Sequence, residues 1–301
     1  MTTPVAEPLV SWEEIQDIEL VVLRRMREHA PGAHRSVFHG SGFDLVGLRD
    51  WQPGDRPSAV DWPQSSLTNF SPLVTREFEQ ESTAPVIIVA DTSRSTQCGV
   101  DGTPIAKVIA RTVATLGLAA AFCQDLVGLV AMDGRRRRLA ARPHTGRNHA
   151  MHCVDVYQDS LSDAGGDRAP ERHGDLAGLL RKRSLMPVVS DFLVDPPETL
   201  VEEFAALNTL HDVFFVMVDS AFAFELPPVS TGWIEAYDAE SGQPRLLSAR
   251  DVERLGERVR DWQDRSAAAA RRRGLEVVRV QSGREHGALA EFLDSRRRRK
   301  R

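Results

Sequence analysis

The sequence predicts a doubly wound α/β fold: a mostly parallel sheet with one antiparallel edge strand, preceded by a smaller irregular N-terminal part. Three observations carry that expectation. Short apolar runs rich in β-branched residues, at 84–90, 125–132, 184–189, 211–218 and 275–280, are separated by longer stretches, several with helical period, the pattern of a sheet covered on both faces. Asp133-Gly134 lies between two apolar stretches, a tight-turn signal that sends the next strand back antiparallel. Two of the runs end on an acid, Asp91 and Asp191, and open α/β sheets bind ligands just beyond the carboxyl ends of their strands.

In chain order, residues 1–10 are a loose lead. Ser11 and Glu14 then have capping-box spacing, and Ile15, Ile18, Val22 and Met26 follow with helical period until Pro31-Gly32, which predicts a helix over 12–29. The segment 38–55 is rich in Gly and aromatic residues and reads as irregular, with a turn at Pro53-Gly54. Its Gly40-Ser41-Gly42 lacks the Lys-Ser/Thr of a phosphate loop. After the run that stops on Asp91, a helix is expected over 105–123, a strand over 125–132, and a hairpin whose returning strand includes 138–141, with Arg135 to Arg138 decorating it. A polar linker at 159–171 and a helix at 175–182 precede the run that ends on Asp191. The strand over 211–218 comes next, then a second hairpin, 233–238 with 244–247, and a helix over 248–273. The strand over 275–280 and a helix over 285–295 close the fold.

The chain has 301 residues, 42% hydrophobic and 27% charged, the balance of an ordinary globular protein. No apolar run reaches the roughly 20 residues of a bilayer span, and the first residues are not a signal sequence, so a cytoplasmic location is expected. Three scattered cysteines, Cys98, Cys123 and Cys153, make neither a disulfide framework nor a zinc cluster. Six of the 38 Lys and Arg form a basic tail, 296–301; the remaining 32 face 43 acids, so the body carries −11. An acidic body repels phosphate and no aromatic stacking platform accompanies the tail, so nucleic-acid binding is set aside. His149 and His152, three apart on a helix, lack the further ligands zinc needs. They and the five tryptophans read as packing or surface residues.

Asp91, Ser93 and Ser95 put one carboxylate and two hydroxyls on one turn. Such a turn can aim all three oxygens at a hard divalent cation, or Asp91 and Ser95 can cap the helix that follows. The Asp-x-Ser-x-Ser spacing resembles the metal-ion-dependent adhesion site of von Willebrand factor A-like domains. A second resemblance is longer. Gly40, Gly42, Arg49, Trp51, Pro53-Gly54-Asp55, Val60-Asp61-Trp62, the segment 76–79 and the Asp91 turn occur in the order of the domain-of-unknown-function family 58. This chain departs from that pattern at Ser58-Ala59 and at Thr96, where the family usually has Met.

The resemblance implies a division into an N-terminal part, 1–82, a von Willebrand A-like domain, 83–295, and the tail. It implies a site of Asp91, Ser93, Ser95, Thr145 and Asp191 around Mg2+ or Mn2+, with Thr145, a turn residue, assigned by chain order. It also implies a non-catalytic adaptor that binds an acidic side chain of a protein partner and works with a MoxR-type AAA+ ATPase in assembling or maturing another complex. The competing expectation is a Mg2+-dependent phosphohydrolase with Asp91 as nucleophile, although Ser93 stands where such enzymes need a second acid.

Overall fold

The run that ends on Asp91 is buried along its whole length, and it has this burial because it lies inside a six-stranded sheet with neighbours on both sides. The structure, a computed structural model, describes residues 8–29, 43–52, 60–80, 85–100, 103–134, 136–163, 183–194, 196–224, 233–237 and 243–299. In chain order its elements are α1 Trp12–His29, β1 Phe43–Asp50, α2 Trp62–Leu67, β2 Val74–Gln80, β3 Val86–Asp91, β4 Gly99–Val100, β5 Thr103–Pro104, α3 Ile105–Phe122, β6 Val127–Asp133 and β7 Arg136–His144. They continue with α4 Arg147–Asp163, β8 Leu185–Ser190, α5 Pro197–Leu207, β9 Asp212–Val218, β10 Trp233–Tyr237, β11 Pro244–Ser248, α6 Ala249–Arg272, β12 Glu276–Val280 and α7 Glu285–Arg299.

The main sheet has the order β12-β9-β8-β3-β6-β7. Five strands run parallel and only β7, returned by the turn at Gly134 (φ 53°), is antiparallel. A mostly parallel sheet with one antiparallel edge is what the alternating runs predict. Residues of β3 alternate between two cores. Val86, Ile88 and Ala90 join α1, α3, α4 and α7, whereas Ile87 and Val89 join α5 and α6, so helices cover both faces. The ladder between β3 and β8 is registered at Val86↔Leu185 and resumes at Val89↔Val188; Pro187, in between, has no N–H to donate.

Several local signals act as their chemistry dictates. Ser11 and Glu14 form the reciprocal capping box that starts α1, with Ser11 N–H donating to Glu14 at 2.9 Å and Glu14 N–H donating to Ser11 Oγ at 3.2 Å. The helix is built into the body through Ile15, Ile18 and Val22, and Glu14 pairs with Lys107 and Arg111 of α3. The second hairpin pairs β10 with β11.

Other segments differ from the sequence reading. Part of the supposedly irregular Gly/Trp-rich segment is a strand, β1, paired antiparallel with β2; residues 30–42 and 53–59, with Gly40 to Gly42 and Pro53-Gly54, lie outside the described residues. The polar stretch that begins at Asp159 is still helix to Asp163, and the helix expected at 175–182 also falls outside them. α3 is long and apolar enough by length and composition to cross a membrane, with most of it buried inside the fold; counting strictly uninterrupted apolar residues overlooks it.

The basic tail begins later than its composition suggests. α7 runs to Arg299, and Arg296 is buried, paired with Asp212 at 2.6 Å and with Glu276, its guanidinium 4.7 Å from the centre of the Phe214 ring. Removing this arginine leaves two carboxylates without their shared cation, but Asp212 and Glu276 are partly exposed and can be solvated, so the cost falls below the roughly 3–5 kcal/mol of a fully buried pair. Arg296→Ala is therefore expected to lower the unfolding free energy by about 2 kcal/mol in urea titrations; a loss below about 0.5 kcal/mol would assign Arg296 to the solvated surface.

Candidate metal centre

The register of the sheet brings two acids together. β3 and β8 are neighbours running the same way, so Asp91 at the end of one and Asp191, one residue past Ser190, come out at the same edge. Both side chains are buried, 2% and 1% exposed. Their carboxyl groups are held differently. Asp91 Oδ1 accepts from Ser93 N–H at 2.9 Å, and its Oδ2 accepts from the Ser190 hydroxyl. Asp191 Oδ1 accepts from Leu193 N–H at 3.1 Å, while its Oδ2 is buried with no hydrogen-bond partner.

Burial shifts both titrations upward, and at Asp191 the neighbouring charge of Asp91 adds to it. For Asp91 burial is the main cause, opposed by the hydrogen bonds from Ser190 and Ser93 and reinforced by the charge of Asp133. For Asp191 burial again leads, followed by the charge of Asp91, and its carboxyl is pushed up to about 7. Two anions taken out of water side by side disfavour one another's charge.

The hydroxyls of the turn complete the donor set. Ser93 Oγ lies 3.0 Å from Ser95 Oγ. The turn after β3 is a single 3-10 segment, Arg94–Gln97, in which Ser93 occupies the N-cap position without a side-chain capping bond. Tyr157 of α4 donates to the Asp91 carbonyl at 3.0 Å, and Thr96 Oγ1 donates to the Ser93 carbonyl at 2.7 Å. Thr96, where the family pattern has Met, thus ties the turn down with a hydroxyl.

Thr145 is elsewhere. His144, just before it, pairs with Val127 at the start of β6, whereas Asp91 pairs with Met132 near its end. Five residues of strand, about 17 Å, separate the two levels, and Thr145 is exposed at the opposite edge of the sheet. Its assignment to the site is corrected: β7 runs antiparallel, so the residue that follows it returns to the wrong end. His149, at that far end, is 3.0 Å from the Val127 carbonyl.

Four residues near the carboxylates escaped the sequence reading. Ser190 is the polar last residue of an apolar run and shares a face with Asp91. Tyr157 and Gln263 are polar groups on the buried stripes of α4 and α6. Arg137, read as hairpin decoration, is buried instead. It stands level with Asp91, since both pair with Met132, donates to Glu203 of α5 at 2.9 Å, and lies over the Phe204 ring. Burial draws its pKa down, while the charges of Glu203, Asp91 and Asp133 push it back up.

Among the described residues no group of three or more His, Cys, Asp or Glu is arranged to hold a metal. An ion here would be held by two carboxylates and two hydroxyls, all oxygen donors, which suits Mg2+ or Mn2+ rather than zinc. The unpartnered Oδ2 of Asp191 fits such an ion, because a buried carboxylate oxygen with no donor is costly unless a cation meets it.

The family described as protein of unknown function DUF58 matches residues 47–275. Uncharacterized proteins of Mycobacterium bovis and Mycobacterium tuberculosis are 26% identical over 267 residues, covering 85% of this chain and 78% of theirs. Among solved structures, a conserved hypothetical protein, BatB, from Bacteroides thetaiotaomicron is 14% identical with a TM-score of 0.38, covering 70% of this chain and 98% of its own. An aerotolerance-related membrane protein from Bacteroides fragilis, bearing multiple mutations to serine, is 8% identical with a TM-score of 0.39, covering 70% and 97%.

The raised Asp191 carboxyl makes the metal-free protein lose stability as pH rises. Protonated Asp191 is favoured in the folded chain, so its contribution is complete below the unfolded value near 4 and is lost as pH climbs through about 7. Asp191→Asn removes that charge. Chemical denaturation without divalent ions is expected to find the variant more stable than wild type at pH 8, by an amount on the order of a few kcal/mol, with the gap narrowing as pH falls through about 7 and closing near 4. A variant less stable at pH 8 would contradict the buried, unpaired carboxylate.

Proposed function

The chain belongs to the DUF58 family, and from that premise we propose that it is a non-catalytic adaptor whose Asp91–Asp191 edge binds a divalent cation and, through it, an acidic side chain of a protein partner. The observation that carries the proposal is the buried, unpartnered Oδ2 of Asp191 beside Asp91. In this reading the domain is von Willebrand A-like and the site is an adhesion site of Asp91, Ser93, Ser95 and Asp191. The cation is Mg2+ or Mn2+. When bound, it supplies a hard positive centre that accepts oxygen ligands.

The chain's own groups prepare that role. Ser190 and the Ser93 N–H fix the Asp91 carboxylate. The Ser93 and Ser95 hydroxyls stand beside it as neutral donors. Neutral hydroxyls leave the cation with less negative charge than a ring of acids would, and this favours recruitment of one more carboxylate from outside. The proposed partner system is a MoxR-type AAA+ ATPase, the proposed work is assembly or maturation of another protein complex, and the proposed compartment is the cytoplasm. The phosphohydrolase reading has less support, because Ser93 holds the position where such an enzyme needs a second acid.

Calorimetric titration of the purified chain with Mg2+ and Mn2+ tests the reading, with a pull-down against a MoxR-type ATPase in the presence and absence of chelator. Binding is expected in wild type, lost in Asp91→Ala and unchanged in Thr145→Ala, with partner capture that requires the metal. Wild type that binds neither ion would overturn it. Phosphate release that disappears in Asp91→Asn would move the function to hydrolysis.

A further inference from the structure

Asp191 is not held by its own strand alone, because its backbone is gripped from α6. Gln263, 2% exposed, directs its side-chain amide at the Asp191 carbonyl (2.9 Å), the Val218 carbonyl (2.7 Å) and Ser220 Oγ (3.2 Å). Its two N–H donors thus serve three acceptors and bridge the ends of β8 and β9. The preceding residue, Trp262, donates from its indole to the Phe192 carbonyl at 3.2 Å.

The grip falls on a strained turn. Phe192 has φ 54°, a conformation that a bulky side chain rarely adopts and that persists only where its surroundings over-determine it. Here they do. The Phe192 ring is stacked on Phe215 with centres 4.4 Å apart, its N–H donates to Ser190 Oγ at 2.9 Å, and its carbonyl is taken by Trp262. Ser190 therefore touches both sides of the site, giving its proton to Asp91 and accepting from the turn that follows Asp191. The left-handed residue turns the chain directly after Asp191, so the direction of that carboxylate depends on the turn being kept.

The same helix has contacts of its own before this grip. Gln263 meets the strand ends midway along the 24-residue α6, so residues 249–262, about 21 Å of helix, precede that meeting point and pack instead against residues 220–224 and β11. That N-terminal half begins at the Ser248–Asp251 capping box, directly continuous with β11 of the second hairpin.

We propose that Trp262 and Gln263 are positioning residues for the cation site: they hold the Asp191–Phe192 turn in the conformation that keeps the second Asp191 oxygen free beside Asp91, and through them the N-terminal half of α6 responds to the ion. The inference rests on the metal-binding reading above and adds to it a helix on which the cation acts at a distance. Groups that orient metal ligands without touching the metal typically change affinity 10- to 100-fold when removed.

The test uses Trp262→Phe, which keeps an aromatic ring and deletes the indole donor, and Gln263→Met, which keeps the shape and deletes the amide. Mg2+ affinity is measured by calorimetry, metal-free melting temperature by scanning, and amide exchange over 249–262 with and without Mg2+. The expected result is a drop in Mg2+ affinity of about tenfold or more in Trp262→Phe with the metal-free melting temperature lowered by no more than about 4 °C, together with slower exchange over 249–262 on adding Mg2+ to wild type that is reduced in the variant. If Gln263→Met does not fold, Trp262→Phe decides alone. Wild-type Mg2+ affinity in a folded Trp262→Phe variant, or exchange over 249–262 indifferent to Mg2+ in a wild type that binds it, overturns this inference and leaves the adaptor reading standing. A wild type that binds neither Mg2+ nor Mn2+ overturns both.

Discussion

Two carboxylates are buried side by side at one edge of a parallel sheet, and the surrounding structure is arranged around their mutual repulsion. Each charge taken out of water is disfavoured, and each disfavours the other. The fold meets that cost with hydrogen bonds on one side only. Asp91 receives a backbone N–H and a serine hydroxyl, whereas Asp191 receives a backbone N–H and keeps an oxygen bare. A carboxylate oxygen left bare so far from water, beside a turn strained at Phe192, is what the proposed cation would meet.

Adjacency of β3 and β8 is what makes the pair, and that adjacency follows from the crossover order of the sheet, with β6 and β7 laid on the other side of β3. The helices secure it on both faces. α3 fills one core with small and branched side chains, and Tyr157 reaches from α4 to the Asp91 carbonyl. On the opposite face α5 and α6 bring Glu203 and Gln263 to the same edge, one through Arg137 and the other through the backbone of Asp191. A fixed guanidinium near Asp91 partly offsets the negative charge there, which helps the metal-free chain tolerate its two acids.

Much of this was legible in the sequence because it depends on local pattern. Apolar β-branched runs announced the strands, Asp133-Gly134 announced the antiparallel edge, Ser11 and Glu14 announced the start of α1, and acids at the ends of two runs marked Asp91 and Asp191. What could not be read depends on which ends of the strands meet. Thr145 has the right chemistry and chain order, but it follows a strand that runs the other way, so topology excludes it. Arg137 and Arg296 look like solvated charge runs because their neighbours are arginines, and only tertiary contacts with Glu203, Asp212 and Glu276 bury them. Gln263 had a weak signal, a polar residue on the helical stripe that also carries Val252, Gly256 and Ala267, yet its partners are backbone carbonyls from two distant strands. Strand β1 went unread because Gly47 interrupts the run, and the register with β2 slips at that point.

The most direct measurement is anomalous scattering from crystals of this chain grown with Mn2+. One peak is expected at the edge shared by β3 and β8, in contact with a carboxylate oxygen of Asp91, on the side where Asp191 leaves its Oδ2 bare, and beside the hydroxyls of Ser93 and Ser95. An ordered edge with no peak there, Asp191 having found a protein donor instead, would contradict the proposed cation site.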